Sequence, residues 1–348
     1  MAEHCWRLAR FPHCFTAAVL AVFFSISCAT GEGNQVADAP AGRRGASVAA
    51  VASQTLFAPA GPQNTGDPVD AADYPWQLAL SISHGGETWR CSGILISQIH
   101  VLTAAHCVDA APVTAGGPRI RVAVDGIQAF HGADEFGKGT QVDLDLTWPV
   151  TFHPGWRTSG VAYAFDAALL KLEQPLATAT PAPVREERFE PVQQSTMMAV
   201  TSGWGYFDAT DTPSDVLRAV KVPVVNNQTC RAGLAAYDQQ TGTRLAGTLH
   251  SSTLCALSRS DDACVSDSGS PLVVGSRANP QTVGIVSWGL PGRCGVPGPT
   301  GALIGGYTRA SELAQWIRET TGSDGAVTRR PMETLFTIRP ARTGGIDR

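Results

Sequence analysis

The sequence has no long apolar run and no block of positive charge. Its 26 lysines and arginines are balanced by 30 aspartates and glutamates, which leaves a formal net charge of −4 over 348 residues. Nothing in this balance indicates binding to nucleic acid or to an anionic membrane surface. The most apolar stretch, residues 15–26, is shorter than the roughly 20 residues that a helix needs to cross a bilayer. The sequence therefore predicts no transmembrane span and no nucleic-acid partner.

Metal and nucleotide motifs are also missing. No Cys-x-x-Cys pair occurs, and the adjacency of His106 and Cys107 is not a chelating spacing. The stretch 289–306, rich in glycine and proline, lacks the Gly-Lys-Ser/Thr ending of a phosphate-binding loop. Asp134 and Glu135 alone do not make a calcium site, because calcium takes many oxygen ligands. We therefore predict no metal and no cofactor.

The beginning of the chain has the pattern of an export sequence. Arg7 and Arg10 precede the apolar run, and small residues follow it. This order of charged, apolar and small residues predicts a signal peptide over 1–29 and an extracellular, secreted protein. A buried helix is the alternative, but nothing nearby supplies a partner pattern. Cys28 raises a lipid anchor as a second alternative, although the three residues before it lack the leucine that is usual in bacterial lipoprotein signals.

The cysteines agree with export. Three of the nine lie in or beside the predicted signal peptide, which leaves an even number in the rest of the chain. An even number in an exported domain favours disulfides. The six are Cys91, Cys107, Cys230, Cys255, Cys264 and Cys294. Their spacing alone does not choose among the many pairings that six cysteines allow.

Composition changes along the rest of the chain. Residues 30–66 are rich in alanine, glycine, proline and serine, which is typical of a linker or pro-segment. Residues 67–322 form the predicted domain, in which short runs of β-forming residues alternate with clusters of glycine, proline and aspartate. The runs are 77–83, 92–99, 120–124, 167–172, 198–202, 217–225 and 282–288. Many short strands at such spacing favour an all-β sandwich or barrel.

One helix is predicted near the end of this domain. Ser311 is a candidate cap, and Gly322 can end the helix. Between them Leu313, Trp316 and Ile317 share one helix face. The tail, residues 323–348, is polar with five arginines, and we expect it to be disordered.

Three segments carry residues that can perform nucleophilic catalysis. His106 follows an apolar strand, Asp166 opens another apolar strand, and Ser268 lies in a turn of small residues. A serine hydroxyl is inert alone; a histidine must accept its proton, and a buried carboxylate must hold that histidine in the right tautomer. Each residue singly has a structural explanation, since lone histidines, strand-capping acids and Ser-Gly loops are common. Together, in this order and in an exported β domain, they predict a catalytic triad.

The chain resembles the chymotrypsin-like, trypsin-type serine peptidases over residues 67–320. The motifs that carry the resemblance are YPWQ at 74–77, TAAHC at 103–107, DAALLKL at 166–172, GWG at 203–205, DSG at 267–269, SWG at 287–289 and YTR at 307–309. The resemblance implies two packed six-stranded antiparallel β-barrels with a C-terminal helix and the active site in the cleft between the barrels. It also implies the disulfides Cys91–Cys107, Cys230–Cys255 and Cys264–Cys294. A secreted, monomeric endopeptidase is expected, with protein or peptide substrates and a protein inhibitor as a candidate partner.

The resemblance also implies a substrate pocket. Asp262 falls at its base, where a carboxylate favours a long cationic side chain through a charge-assisted hydrogen bond. The implied cleavage therefore follows Arg or Lys. The alternative is that Asp262 is a solvated loop acid beside Asp261. The other positions matching the substrate-binding cleft are Ser287, Trp288, Gly289 and Gly305. By the same resemblance, the backbone amides of Ser266 and Ser268 form the oxyanion hole.

Two departures from the family pattern bear on activity. The family is usually cut before an Ile-Val-Gly-Gly-like sequence, and the new amine pairs with the acid before the catalytic serine, here Asp267. The matching residues 63–66 read QNTG, and no lysine or arginine lies between Arg44 and Arg90. We therefore predict no tryptic cut there and a different partner for Asp267. Ser266 also replaces a common glycine in the oxyanion loop, as Ser270 does nearby.

Two further functions remain open from the sequence. A catalytically weak or inactive protease homologue that acts as a binding protein fits the altered amino terminus and Ser266. An α/β-hydrolase is disfavoured by the order of the triad and by the lack of a Gly-x-Ser-x-Gly elbow around Ser268.

Overall fold

The computed structural model describes residues 66–111, 113, 121–192, 196–206, 212–258, 267–290, 299–322 and 325–329. All of them belong to one compact unit, Thr55–Arg348. The predicted signal peptide and nearly all of the predicted linker lie outside the described residues. So do the end of the tail and four of the predicted site residues, Asp262, Cys264, Ser266 and Cys294.

Short strands, most of them antiparallel, are the main regular elements of the described chain, as the alternating sequence pattern predicts. In chain order they are β1 (Asp67–Pro68), β2 (Gln77–His84), β3 (Glu87–Leu95), β4 (His100–Thr103), β5 (Gly126–His131), β6 (Thr140–Val142), β7 (Thr151–Phe152), β8 (Ala168–Lys171), β9 (Val184–Arg185), β10 (Met197–Gly203), β11 (Arg218–Val225), β12 (Thr253–Ser258), β13 (Pro271–Ser276), β14 (Asn279–Gly289), β15 (Leu303–Arg309) and β16 (Val327–Thr328). Two α-helices interrupt them, α1 (Asn227–Thr241) and α2 (Ala314–Thr321).

The first half of the domain forms a seven-stranded sheet in the order β6-β5-β2-β3-β4-β8-β7. Its centre is the hairpin of β2 and β3, in which Gln77 lies opposite Ile94 and His84 opposite Glu87. An isolated bridge between Leu144 and Leu172 connects the chain after β6 to the end of β8 and so draws the sheet toward a ring. This sheet carries the segments of His106 and Asp166.

The second half forms a closed barrel. Its six strands follow one another in the order β13-β10-β11-β12-β15-β14, and β14 pairs with β13 to close the ring. Outside the ring β9 pairs in parallel with β14 and β16, and β1 pairs with β11. The predicted all-β, chymotrypsin-like class with a C-terminal helix is confirmed. The first sheet, however, is described with seven strands rather than as a six-stranded barrel.

Helix α2 packs the two halves together. Leu313, Trp316 and Ile317 are buried in one core cluster with Leu102 of the first sheet and Ile285 of the second barrel. Burying one such side chain contributes about 1.5–3 kcal/mol. Gly322 ends the helix at a φ of 71°, as predicted, because a residue without Cβ adopts this left-handed conformation at low cost.

The cap that was predicted for this helix is wrong. Residues Ala310–Glu312 form a 3-10 turn, and the N-cap of α2 is Leu313, which makes no side-chain cap bond. The Ser311 hydroxyl is buried and has no hydrogen-bond partner. A preceding 3-10 turn thus occupies the place where the serine would have capped the helix.

Several elements differ from the sequence prediction. Helix α1 was not predicted, because it buries only Cys230, Leu234 and Tyr237 and therefore has a weak apolar stripe; Asn226 caps it. The run predicted at 92–99 starts earlier and ends at Leu95. Of the run predicted at 120–124, the described part forms only an isolated bridge at Ala123. The tail predicted as disordered contributes β16.

Candidate active site

His106 lies in a tight turn between the two sheets. Strand β4 ends at Thr103, and the 3-10 turn Ala105–Cys107 follows directly. The disulfide Cys91–Cys107, with an S–S distance of 2.02 Å, fastens this turn to β3. The His106 side chain keeps 19% of its surface exposed, so one edge of the ring remains open to a substrate.

Asp166 holds this histidine through two bonds. The backbone N–H of His106 donates to Oδ1 at 2.9 Å, and the imidazole Nδ1 lies 2.7 Å from Oδ2. Because an ionised carboxylate only accepts hydrogen bonds, this contact assigns the proton to Nδ1 and leaves Nε2 as the acceptor. That is the tautomer a general base requires.

The second barrel supports the same aspartate. The Ser287 hydroxyl donates to Asp166 Oδ2 at 2.6 Å, and the Thr308 hydroxyl donates to the Asp166 carbonyl at 2.8 Å. The Asp166 side chain is fully buried, and a buried carboxylate without partners would be costly. Residues of both sheets thus satisfy it, which places Asp166 at their junction.

Ser268 lies in the turn between Asp267 and β13. The Ser270 N–H donates to the Asp267 carbonyl at 2.8 Å, and Gly269 adopts a φ of 79°. A Cβ at Gly269 would lie 2.3 Å from the Ser92 carbonyl oxygen and 3.1 Å from the Ala104 nitrogen. Only glycine therefore lets this turn approach β3 and the chain that leads to His106.

The backbone of Ser268 is fixed against the first sheet. Its carbonyl accepts the N–H of Ser92 at 2.8 Å, next to the cysteine that is joined to Cys107. The hydrogen bonds of the described residues do not include one between the Ser268 hydroxyl and the His106 ring. Such bonds are often long in unliganded sites and tighten when substrate binds. The structure thus brings together the segments of the three predicted triad residues.

Asp267 has an internal partner, as the lack of an apolar amino terminus led us to expect. Its Oδ1 accepts the N–H of Gly205 at 2.8 Å. A Cβ at Gly203 or at Gly205 would lie 2.2 or 2.4 Å from the Asp267 carboxyl group, so these glycines make room for it. A small, shallow pocket adjoins the carboxylate, and Arg218 is among the residues that line it.

The predicted substrate-binding residues gather at one edge of the second barrel. In the pairing of β14 with β15, Trp288 lies opposite Gly306, and Gly289 lies opposite Gly305. A Cβ at Gly306 would be 2.1 Å from the Trp288 ring, so the ring lies directly on this glycine. Gly289 is exposed, and a Cβ there would meet nothing within 4 Å. An open edge thus continues from Ser287 along β14.

Some residues of the site were missed from the sequence. The Tyr163 ring meets the His106 ring edge to face, with centroids 5.8 Å apart. The Phe165 N–H donates to the Ser252 hydroxyl at 3.0 Å, just before Asp166. Thr308 belongs to the YTR motif, which could have indicated it. Tyr163 and Phe165 lie in an irregular segment without periodicity, so nothing in the sequence marked them.

A half-buried histidine packs against the segment before Asp166. His153 stacks on Phe165 at a centroid distance of 4.4 Å, and its edge faces Trp316 of α2 at 5.1 Å. Burial lowers the pKa of His153 from 6.5 to about 4, because the charged form loses its hydration. This histidine is therefore neutral in the folded protein at ordinary pH.

Other motifs of the sequence have structural roles. The Asp134 carboxylate accepts the N–H of Ala71 at 2.7 Å, and no group of the described residues could hold a metal. Residues 227–229 read Asn-Gln-Thr, which is an N-glycosylation sequence. Its Asn227 side chain accepts a hydrogen bond from the buried Arg309 at 2.9 Å and is therefore engaged within the fold. The two disulfides of the described residues, Cys91–Cys107 and Cys230–Cys255, are two of the three implied pairs.

Comparison with known proteins identifies the family. The Trypsin family model matches residues 63–317. Hypodermin-B of Hypoderma lineatum is 32% identical over 260 residues, which cover 73% of this chain and 85% of that protein. The clotting factor G beta subunit of Tachypleus tridentatus is 28% identical over 258 residues, covering 71% and 76%. None of the described helices is long and apolar enough to cross a membrane. The chain therefore belongs to the trypsin family and is a serine protease.

Proposed function

We propose that this protease is a secreted endopeptidase that cleaves after Arg or Lys, with His106, Asp166 and Ser268 as its catalytic triad. The observation that carries the proposal is the fully buried carboxylate of Asp166, bonded twice to His106 and once to Ser287. No purely structural need explains a buried charge that orients a partly exposed imidazole toward a serine turn.

The mechanism follows from this tautomer. The Ser268 hydroxyl attacks the scissile carbonyl while His106 Nε2 accepts its proton, and Asp166 stabilises the imidazolium. The backbone N–H groups of Ser266 and Ser268 stabilise the oxyanion of the tetrahedral intermediate. His106 then protonates the leaving amine, which departs and leaves an acyl-enzyme. Water, deprotonated by His106, hydrolyses this ester and restores Ser268.

The specificity for a cationic residue rests on Asp262 and on the open edge at Gly289. A carboxylate at the base of a slot pairs with guanidinium or ammonium through a charge-assisted bond. Gly289 and Gly305 leave the slot free of side chains, since both lie at the barrel edge next to Trp288. Asp262 itself lies outside the described residues, so its role is part of the proposal.

We also propose that the protein acts outside the cell, as a monomer, on protein or peptide substrates, with a protein inhibitor as a natural partner. The predicted signal peptide and the two disulfides support the extracellular site, because disulfides persist in oxidising compartments.

A fluorophosphonate probe applied to secreted protein tests the catalytic proposal. We expect the wild-type chain and the matched variant Ser276→Ala to be labelled and to hydrolyse arginine esters. Ser276 is exposed at the far end of β13. Ser268→Ala and His106→Ala are expected to lose both labelling and turnover while they remain folded. Labelling of Ser268→Ala would show that another residue is the nucleophile, and an unlabelled but folded wild type would favour the inactive binding homologue.

A peptide-library profile tests the specificity. Asp262→Ser is expected to lower cleavage after Arg and Lys by about tenfold or more, because one charge-assisted bond to the substrate is lost. Cleavage after apolar residues should change much less. Asp261→Ser is the matched control, since it removes the neighbouring charge. Equal profiles for the two variants would show that Asp262 is a loop acid.

A further inference from the structure

A second buried carboxylate lies close to the site and takes no part in the triad. The Asp109 side chain is fully buried three residues after His106. Its Oδ1 accepts the backbone N–H groups of Ala111 at 3.2 Å and Val122 at 2.9 Å. Its Oδ2 accepts the indole N–H of Trp156 at 2.8 Å and Nε of Arg157 at 2.5 Å. Four donors on one carboxylate make a rigid junction rather than a solvated surface acid.

Arg157, the cation of this junction, is also largely buried. The Arg157 side chain is only 6% exposed, and it also donates through Nη2 to the Ala111 carbonyl. Its guanidinium lies 5.2 Å from the centre of the Trp156 ring. The planar fork of arginine binds two acceptors at once, which lysine cannot reproduce. Arg157 thus binds the chain after His106 at two acceptors, the Asp109 carboxylate and the Ala111 carbonyl.

The junction connects both segments of the proposed histidine–aspartate pair. Asp109 follows the His106 turn, whereas Trp156 and Arg157 belong to the segment that runs from β7 to Asp166. Arg157, Tyr163 and Phe165 have φ values of 61°, 59° and 52°. Residues other than glycine adopt such backbone conformations only when surrounding contacts impose them. The segment 157–165 is therefore held at both ends, by Asp109 and by Ser252.

Tyr163 is the part of this segment that reaches the site. Its ring stands nearly perpendicular to the His106 ring, at 83° with centroids 5.8 Å apart. The ring therefore stands beside the imidazole, where it can contact a substrate chain that extends past His106. The position of the ring depends on the backbone of 157–165, and so on the junction that holds it.

We infer that Asp109 and Arg157 are positioning residues, which set the wall that Tyr163 presents to extended substrates beside His106. They act through the segment 157–165 and do not touch the reacting atoms. This inference rests on the proposed role of His106. It predicts that loss of the junction slows the hydrolysis of extended peptides more than the hydrolysis of substrates that are too short to reach Tyr163.

The test compares two substrates in folded, secreted variants. In Arg157→Lys and Arg157→Gln, we expect kcat/KM for a tripeptide amide to fall about tenfold or more, mainly through KM, because a displaced wall misplaces the substrate. Hydrolysis of a single-residue arginine ester, and fluorophosphonate labelling, should change about twofold at most. Arg157→Lys is included because it keeps the buried charge and so preserves the fold better than Arg157→Gln.

Two controls separate positioning from general stability. Lys171→Gln breaks the ion pair with Asp145, 2.9 Å long, in the same sheet, and should leave both substrates unaffected. In a Tyr163→Ala background, Arg157→Lys should lower kcat/KM for the tripeptide amide little further, because the Tyr163 ring that forms the wall is already absent. A parallel loss on both substrates, or full additivity with Tyr163→Ala, would overturn the inference.

A readout that does not require turnover keeps the inference separate from the proposed activity. Ring protons of Tyr163 and His106 should give a nuclear Overhauser contact in the wild type and in Lys171→Gln, and lose it in Arg157→Lys. Persistence of that contact in folded Arg157→Lys would refute the positioning role even in a chain without activity. A wild type that shows the contact but hydrolyses nothing would instead contradict the proposed function alone.

Discussion

At the scale of single residues, Asp166 is satisfied by donors that come from different parts of the chain. His106 lies 60 residues away, Ser287 121 and Thr308 142. Hydrogen bonds to a charged group contribute about 1.5–3 kcal/mol each, and breaking one leaves the others in place. The two hydroxyl donors differ in what they touch, since Ser287 bonds the carboxylate and Thr308 bonds the backbone.

This difference predicts unequal effects on catalysis. Ser287→Ala should lower kcat on a short arginine ester by about tenfold, because the carboxylate that orients His106 loses a direct donor. Thr308→Val, which keeps the side-chain shape, should lower kcat less and reduce mainly the free energy of unfolding. Steady-state kinetics and urea unfolding of both variants measure the two effects. Equal losses of kcat would contradict the assignment.

At the scale of elements, the chain after α2 adds a strand to the second sheet. The Val184 N–H donates to the Ala326 carbonyl at 2.8 Å, and the Glu186 N–H donates to the Thr328 carbonyl at 3.0 Å. Ala326 is fully buried, and Arg329 forms an ion pair with Glu186. The hydrogen bond from Arg329 is the main cause of the lowered pKa of Glu186. Strand β16 thus covers the outer edge of β9.

Two truncations test the contribution of β16. A chain ending after Gly322 should unfold at a lower temperature than one ending after Arg329, because it loses the two ladder bonds and the burial of Ala326. At about 1 kcal/mol per net hydrogen bond, the loss is about 2–3 kcal/mol, or roughly 4–12 °C for a domain of this size. Calorimetry of both truncated proteins gives the difference. Identical melting temperatures would show that β16 adds no stability.

At the scale of the whole molecule, His153 lies where the first sheet, the segment before Asp166 and α2 meet. Its folded pKa of about 4 lies below the ordinary 6.5, so the unfolded chain binds this proton more readily. The stabilising effect of the neutral ring is therefore complete above pH 6.5. It is lost as the pH falls from 6.5 to about 4.

The pH dependence of unfolding tests this linkage. The Gly155 N–H donates to Nδ1 of His153 at 3.0 Å. Between pH 7 and 4 the free energy of unfolding should fall more steeply in the wild type than in His153→Asn, whose side-chain oxygen can accept this hydrogen bond but does not titrate in this range. His84→Gln is the matched control, because His84 lies near the turn between β2 and β3 with 37% of its side chain exposed. Urea unfolding at several pH values gives the slopes. Equal slopes for the wild type and His153→Asn would contradict the burial of this histidine.

Some features followed from local pattern and composition. The short alternating runs predicted the all-β class, because side chains on a strand point to opposite faces with a period of two residues. The apolar face of α2 and its end at Gly322 followed from helix periodicity and from the conformational freedom of glycine. The motifs around His106, Asp166 and Ser268 were sufficient to indicate the family, since each motif consists of a few consecutive residues.

The sequence by itself thus determined the class, the family and the candidate triad, all of which are encoded by neighbouring residues. Tertiary structure alone decided which distant groups satisfy the buried charges: Ser287 and Thr308 on Asp166, Gly205 on Asp267, and Arg157 on Asp109. The first three pairs need groups from the second barrel, and the fourth forms when the segments between strands of the first sheet pack against each other. Burial makes an unpaired charge costly, and the fold, not the local pattern, determines which donor lies within reach.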